Sequence, residues 1–171
     1  MLTATAMPDR PPAPPLHLDL PDLAATERLG CALAGLLRAG DVVALRGDLG
    51  AGKTALARAL VRALPGPEGA AEEEVPSPTF TLVQTYDREA APVWHFDLYR
   101  IEDPAEIEEL GFYEALGEGI ILIEWPERLG AALPPDHLSV FLSFAGGEGR
   151  RARLEGSGDW PRRLAELPYD E

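Results

Sequence analysis

Hydrophobic and polar residues alternate along this chain in blocks that predict strands and helices in turn. LHLDL (16–20) has the period of two of a half-buried strand. Pro21-Asp22 then opens a helical pattern: Leu29, Ala32, Leu33 and Leu36 recur at i, i+3, i+4 and i+7, one apolar stripe on a helix that stops at Gly40. VVALR (42–46) is a short continuous apolar run and predicts a buried strand. After a glycine-rich turn, TALARALVRAL (54–64) sets Leu56, Leu60 and Leu64 on one face of a helix and Arg58 and Arg62 on the other.

The second half continues the alternation. PGPEGAAEEEVP (65–76) combines breakers with a glutamate run and predicts a mobile surface loop. TFTLVQTYD (79–87) and PVWHFDLYRI (92–101) carry β-branched and aromatic residues at strand density and predict antiparallel neighbours joined around 88–91. Asp103, Pro104 and Glu106 supply an N-cap carboxylate, a first-turn proline and a glutamate three residues after the cap, a helix start that Gly111 closes. GIILIEW (119–125) is a second buried strand ending in an acid, and HLSVFLSF (137–144) and RRARLEG (150–156) add further strands. This order predicts an α/β sandwich with parallel strands at its centre, extended by antiparallel strands.

Composition narrows the picture. At 171 residues, 46% of them hydrophobic, one core is expected. No apolar run approaches the roughly 18 residues of a membrane helix, which predicts a soluble protein without membrane contact. MLTATAMPDRPPAPP (1–15) lacks the basic start and apolar stretch of a secretory signal and reads as a disordered, proline-rich tail, leaving 16–171 as one domain. Cys31 reads as a small core residue, and His17, His95 and His137 have no zinc-ligand spacing. A formal net charge of −14 disfavours direct contact with nucleic acid. The cluster of Arg150, Arg151, Arg153, Arg162 and Arg163 reads as a solvated strand face and helix end.

One segment carries chemistry by itself. Gly47-Asp48-Leu49-Gly50-Ala51-Gly52-Lys53-Thr54 fits G-x-x-x-x-G-K-[ST] and lies between a predicted strand and a predicted helix, the context that a phosphate-binding loop requires. The three-layer fold of P-loop NTPases is therefore expected. Its glycines let backbone N–H groups converge on a phosphate at the positive end of the helix. Lys53 is the only lysine beside fourteen arginines, at the position where a compact ammonium suits a crowded turn better than a planar guanidinium. The Thr54 hydroxyl is a candidate ligand for Mg²⁺ bridging the outer phosphates. Such a metal calls for a carboxylate from a neighbouring strand end. The candidates are Glu124, after the purer apolar run, and Asp97, which shares a strand face with His95 and Tyr99 by period two. A chain with a single lysine inside this loop cannot contain the Asn-Lys-x-Asp segment that reads guanine, so ATP is favoured over GTP.

GDLGAGKT, SPTFTLV (77–83), HFDLYR (95–100) and IEWPER (123–128), in this order and spacing, resemble the TsaE (YjeE) family over about Leu16 to Leu142. The resemblance implies a cytoplasmic ATPase that uses Mg²⁺, turns over slowly alone and works with TsaD and TsaB. Together these transfer a threonylcarbamoyl group to adenosine 37 of tRNA, with tRNA contact left to the partners. On this resemblance Lys53 and Thr54 hold phosphate and metal, Glu124 is a metal-site acid, and Asp97 is needed for hydrolysis through the metal shell or through water. It further implies Trp125 near the nucleotide, Thr26 near the base, and a switch-like loop at 77–80. Two departures concern partner contact: the long acidic loop 65–76, and Gln84-Thr85 where the family often has Asn-Glu.

Overall fold

The computed structural model describes residues 12–169. The predicted tail therefore lies mostly outside the described residues; within them, Pro12–Pro15 are exposed coil. In chain order the elements are β1 (Leu16–Leu20), α1 (Leu23–Ala34), β2 (Val42–Arg46), α2 (Lys53–Ala63), β3 (Val83–Tyr86), β4 (Val93–Asp97), α3 (Glu106–Glu109), α4 (Phe112–Glu118), β5 (Ile120–Glu124), β6 (Leu138–Gly146), β7 (Gly149–Gly156) and α5 (Trp160–Leu164), with 3₁₀ turns at 70–72 and 126–132. Among the described residues no helix is long and apolar enough to cross a membrane.

One seven-stranded sheet runs β1-β7-β6-β2-β5-β4-β3. β4, β5, β2 and β6 are mutually parallel, while β3 on one side and β7 and β1 on the other pair antiparallel, as the strand pattern predicts. Side chains alternate between two cores. Val43, Leu45, Ile120 and Leu122 pack with Leu29, Leu33, Leu56 and Leu60 of α1 and α2. Ile121 and Ile123 pack with Phe96, Ile107 and Phe112 on the opposite face. The result is a three-layer α/β sandwich. α1 and α2 approach closely because Gly30 lies against Ala59, where an added Cβ would come within 2.4 Å of the alanine methyl carbon.

Several boundaries move. The first helix stops at Ala34 instead of running to Gly40, and the strands expected over 79–87 and 92–101 shrink to β3 and β4 because the chain turns at both ends of this hairpin. α4 is an addition; with only Phe112 and Ala115 buried it is too short to show a helical period. Cys31 is exposed, since one helical step of about 100° separates it from the buried Ala32 stripe. The loop 65–76, expected to be mobile, is tied down. Buried Arg88 donates to the carbonyls of Val61 at 2.9 Å and Ala70 at 3.2 Å and pairs with Glu73 at 3.0 Å, while Arg58 and Arg62 donate to the Val75 and Glu73 carbonyls.

The arginine cluster is also not a solvated face throughout. Arg163 is buried, bonds Asp41 through two 2.7 Å contacts and covers the Trp160 ring at 3.7 Å. Arg151 and Arg162 pair with Asp19 and Asp159, and Arg153 with Glu155.

Candidate functional site

Parallel strands that share a direction deliver their C-terminal ends to one edge of the sheet, where loops and helix N-termini gather. The glycine loop leaves β2 there, Asp97 closes β4 and Glu124 closes β5. The two acids are register partners on adjacent strands. Because Ile120 and Leu122 face α2, period two turns Glu124 to the same side, and Val93 does the same for His95 and Asp97.

The loop is shaped by its glycines. At Gly47, φ is 145° and a Cβ would stand 2.5 Å from the Leu142 carbonyl oxygen, so no side chain fits. Gly50 and Gly52 have φ of 78° and 108°, the left-handed region that lets the loop fold back before α2 begins at Lys53. Gly52 offers no side chain to cap α2, which leaves the first-turn N–H groups and the positive helix end facing the loop.

Lys53 is 5% exposed. Its Nζ donates to the Gly47 carbonyl at 2.6 Å and the Asp48 carbonyl at 2.9 Å, and lies 4.2 Å from the centre of the Trp125 ring. Burial pushes its pKa below the ordinary lysine value of 10.5, with Glu124, Asp97, Glu127 and Asp48 opposing that shift by their charge. The Thr54 hydroxyl donates to Glu124 Oε1 at 2.7 Å, and His95 Nε2 stands 2.7 Å from Glu124 Oε2. Asp97 accepts from the Thr79 hydroxyl at 3.1 Å and from the Tyr99 N–H at 3.0 Å, and Ser77 extends that chain to Thr79 at 2.7 Å.

Two non-glycine residues with left-handed backbone flank the acids. Trp125, at φ 60° and ψ 51°, turns the chain immediately after Glu124 and brings its indole over Lys53 and against Tyr99, whose ring centre is 5.0 Å away. Leu82, at φ 68°, accepts the Asp97 N–H at 3.0 Å. Such conformations cost about 1–3 kcal/mol each and persist where surroundings enforce them.

The resulting cleft, about 260 Å³, is lined by Leu49, Gly50, Gly52, Lys53, Thr54, Asp97, Glu124 and Trp125 among the predicted residues, with Ala55, Ser77 and Thr79. Three predicted residues stand elsewhere. Asp48 contributes its carbonyl while its side chain faces solvent, Ala51 is fully buried beneath the loop, and Thr26 is buried within α1. Phe80, at the tip of the 77–80 loop, is exposed with the Arg100 guanidinium 4.4 Å above its ring. Sequence reading assigned no role to His95 or Arg150. His95 was recoverable from the strand face it shares with Asp97. Arg150, which donates to the Gly50 carbonyl at 3.2 Å, gave no such signal, because its contact spans a hundred residues.

Comparison with known proteins converges on one family. The model of the family described as "Threonylcarbamoyl adenosine biosynthesis protein TsaE" matches residues 20–152. The chain is 44% identical over 117 residues to the tRNA threonylcarbamoyladenosine biosynthesis protein TsaE of Rickettsia felis, covering 68% of this chain and 66% of that protein, just under two thirds of its length. It is 34% identical over 142 residues to the Bacillus subtilis protein of the same name, covering 82% of this chain and 85% of that one. The crystal structure of Bacillus subtilis YdiB superposes with a TM-score of 0.73 at 27% identity, covering 90% of this chain and 93% of the other. A match that takes in the loop, both strand-end acids and the sheet as far as β7 places this chain in the TsaE family.

Proposed function

We propose that the protein binds ATP with Mg²⁺ in this cleft and hydrolyses it, as the ATPase partner of TsaD and TsaB in threonylcarbamoyl transfer to adenosine 37 of tRNA in the cytoplasm. The observation that carries this reading is the meeting of Lys53 and Thr54, at the start of α2, with two buried carboxylates from the ends of β4 and β5. Asp97 and Glu124 are 4% and 3% exposed, and among the described residues neither forms an ion pair with a lysine or arginine. Two buried acids held by hydroxyl, amide and imidazole groups form a set of hard oxygen donors short of positive charge, which suits Mg²⁺.

Bound there, Mg²⁺ would neutralise charge on the outer phosphates. The chain supplies the rest by positioning. Thr54 would offer a lone pair of its oxygen to the metal while its hydroxyl proton stays hydrogen-bonded to Glu124. Lys53 exchanges the Gly47 and Asp48 carbonyls for phosphate oxygens, and the first-turn amides of α2 cradle the phosphate between them. Asp97, tethered to the 77–82 loop, orients the attacking water. The net charge of −14 supports a protein that engages other proteins and leaves tRNA to them.

Calorimetry and phosphate release on Lys53→Ala and Asp97→Ala test the reading. Loss of ATP binding in the first, and retained binding without hydrolysis in the second, are expected. Full turnover by Asp97→Ala would remove Asp97 from the catalytic role, and absence of Mg·ATP binding by the unaltered protein would end the ATPase reading. Sustained multiple rounds of tRNA modification with a hydrolysis-resistant ATP analogue would show that occupancy of the cleft suffices.

A further inference from the structure

His95 is fully buried on β4, one strand in from the β3 edge of the sheet, an unusual place for an imidazole with no metal or catalytic role assigned to it. It stands on β4 opposite Leu122 of β5, two residues before Asp97, and its ring points to the α2 side of the sheet. Nε2 is 2.7 Å from Glu124 Oε2, while Nδ1 is buried without a hydrogen-bond partner among the described residues. Glu124 therefore has both oxygens engaged, Oε2 by His95 from within the sheet and Oε1 by Thr54 from α2.

We propose that His95 is a positioning residue: its Nε2–H clamps Oε2 of Glu124, so that Oε1 and the Thr54 hydroxyl face the metal position as one preset pair. This rests on the ATP and Mg²⁺ reading of the cleft. The proton assignment follows from the two nitrogens. A proton on Nδ1 alone would leave a buried N–H without an acceptor and set the Nε2 lone pair against a carboxylate oxygen, two penalties at once. A proton on Nε2 removes both.

The clamp divides labour between the two acids. The Asp97 carboxylate is held by Thr79 and the Tyr99 amide, groups of the loops at the cleft mouth. Glu124 is fastened to an interior strand residue and loses the rotational freedom of a long flexible acid before any metal arrives. Histidine ligands are commonly oriented by an outer carboxylate; here the order is reversed, with a carboxylate oriented by an outer histidine.

Two measurements decide it. Two-bond ¹H–¹⁵N correlation spectra of the nucleotide-free protein, with the His95 signal assigned by its loss in His95→Gln, should show the Nε2–H tautomer; an Nδ1–H tautomer overturns the clamp. In Mg²⁺ titrations at saturating ATP, His95→Leu should raise the metal concentration for half-maximal turnover about 10-fold or more. ATP binding in EDTA should be unchanged, and His95→Gln, whose amide can donate from nearly the same place, should recover toward the unaltered protein. An unchanged Mg²⁺ requirement in His95→Leu, or a glutamine variant as impaired as the leucine one in a folded protein, overturns the proposal. If His95→Leu does not fold, the tautomer and the glutamine variant decide. If the unaltered protein binds no Mg·ATP, the ATPase reading falls and the clamp is judged by the tautomer alone.

Discussion

Trp125 lies with its ring centre 4.2 Å from Lys53 Nζ, so the lysine that a phosphate would recruit is held by an indole and two loop carbonyls. Drawing the ammonium toward phosphate removes a cation from the face of the ring, which changes indole emission. Mg·ATP should shift the fluorescence of the unaltered protein, and Trp125→Phe should abolish the shift while Trp94 and Trp160 keep emitting. Calorimetric binding without any change in emission would refute this arrangement.

Lys53 also sets a pH limit. Its pKa is lowered by burial, and phosphate binding needs the charged form. Affinity for Mg·ATP should therefore be complete below that pKa and fall as pH rises through it, the fall setting in at a lower pH than for an ordinary lysine. Calorimetry across alkaline pH in two buffers of different ionisation enthalpy should show falling affinity accompanied by proton uptake. Constant affinity up to the ordinary lysine range would contradict the assignment.

The Arg163–Asp41 pair predicts a stability effect separate from the cleft. Both side chains are largely buried, at 7% and 12% exposure, and Asp41 precedes β2, at the end of the strand away from the glycine loop. Arg163→Ala leaves Asp41 without its two-point partner and should destabilise the fold by about 3 kcal/mol in urea unfolding. Nucleotide affinity should be unaltered in the folded variant. A loss below about 1 kcal/mol would class the pair with exposed ones.

Gly47 and Gly40 separate strain from collision. Both have positive φ, 145° and 90°, but a Cβ at Gly47 meets the Leu142 carbonyl at 2.5 Å while one at Gly40 meets nothing within 4 Å. Gly40→Ala should cost about 1 kcal/mol and leave ATP binding intact. Gly47→Ala should cost more and also distort the loop, weakening ATP binding. Equal effects of the two substitutions on binding would show that the close approach at Gly47 does not shape the loop.

The central parallel strands and the glycine loop were legible because their signals are local: a short apolar run, a turn, an amphipathic helix. The position of Glu124 was legible for the same reason: it closes an unbroken apolar strand. Arg163 was misread because its partner, Asp41, is far away in sequence, and nothing in PRRL distinguishes a buried guanidinium from a solvated one. Cys31 was misread because a helix face is narrower than its sequence neighbourhood. The grip of Arg88 on the 65–76 loop escaped notice because composition reports the breakers and charges in a loop but not the carbonyls it can offer a neighbour.

The strand order also has a consequence for synthesis from the N-terminus. Among the described residues β1 pairs only with β7, Leu16 opposite Leu154, and β2 finds its neighbours only in β5 and β6. On the ribosome, the strand that carries the glycine loop stays without these sheet partners until residues beyond 120 have emerged, and β1, made before it, waits longer still, for β7. Contacts so distant along the chain make for slow closure, and the nascent edges of β1 and β2 remain available to chaperones or to mispairing until then.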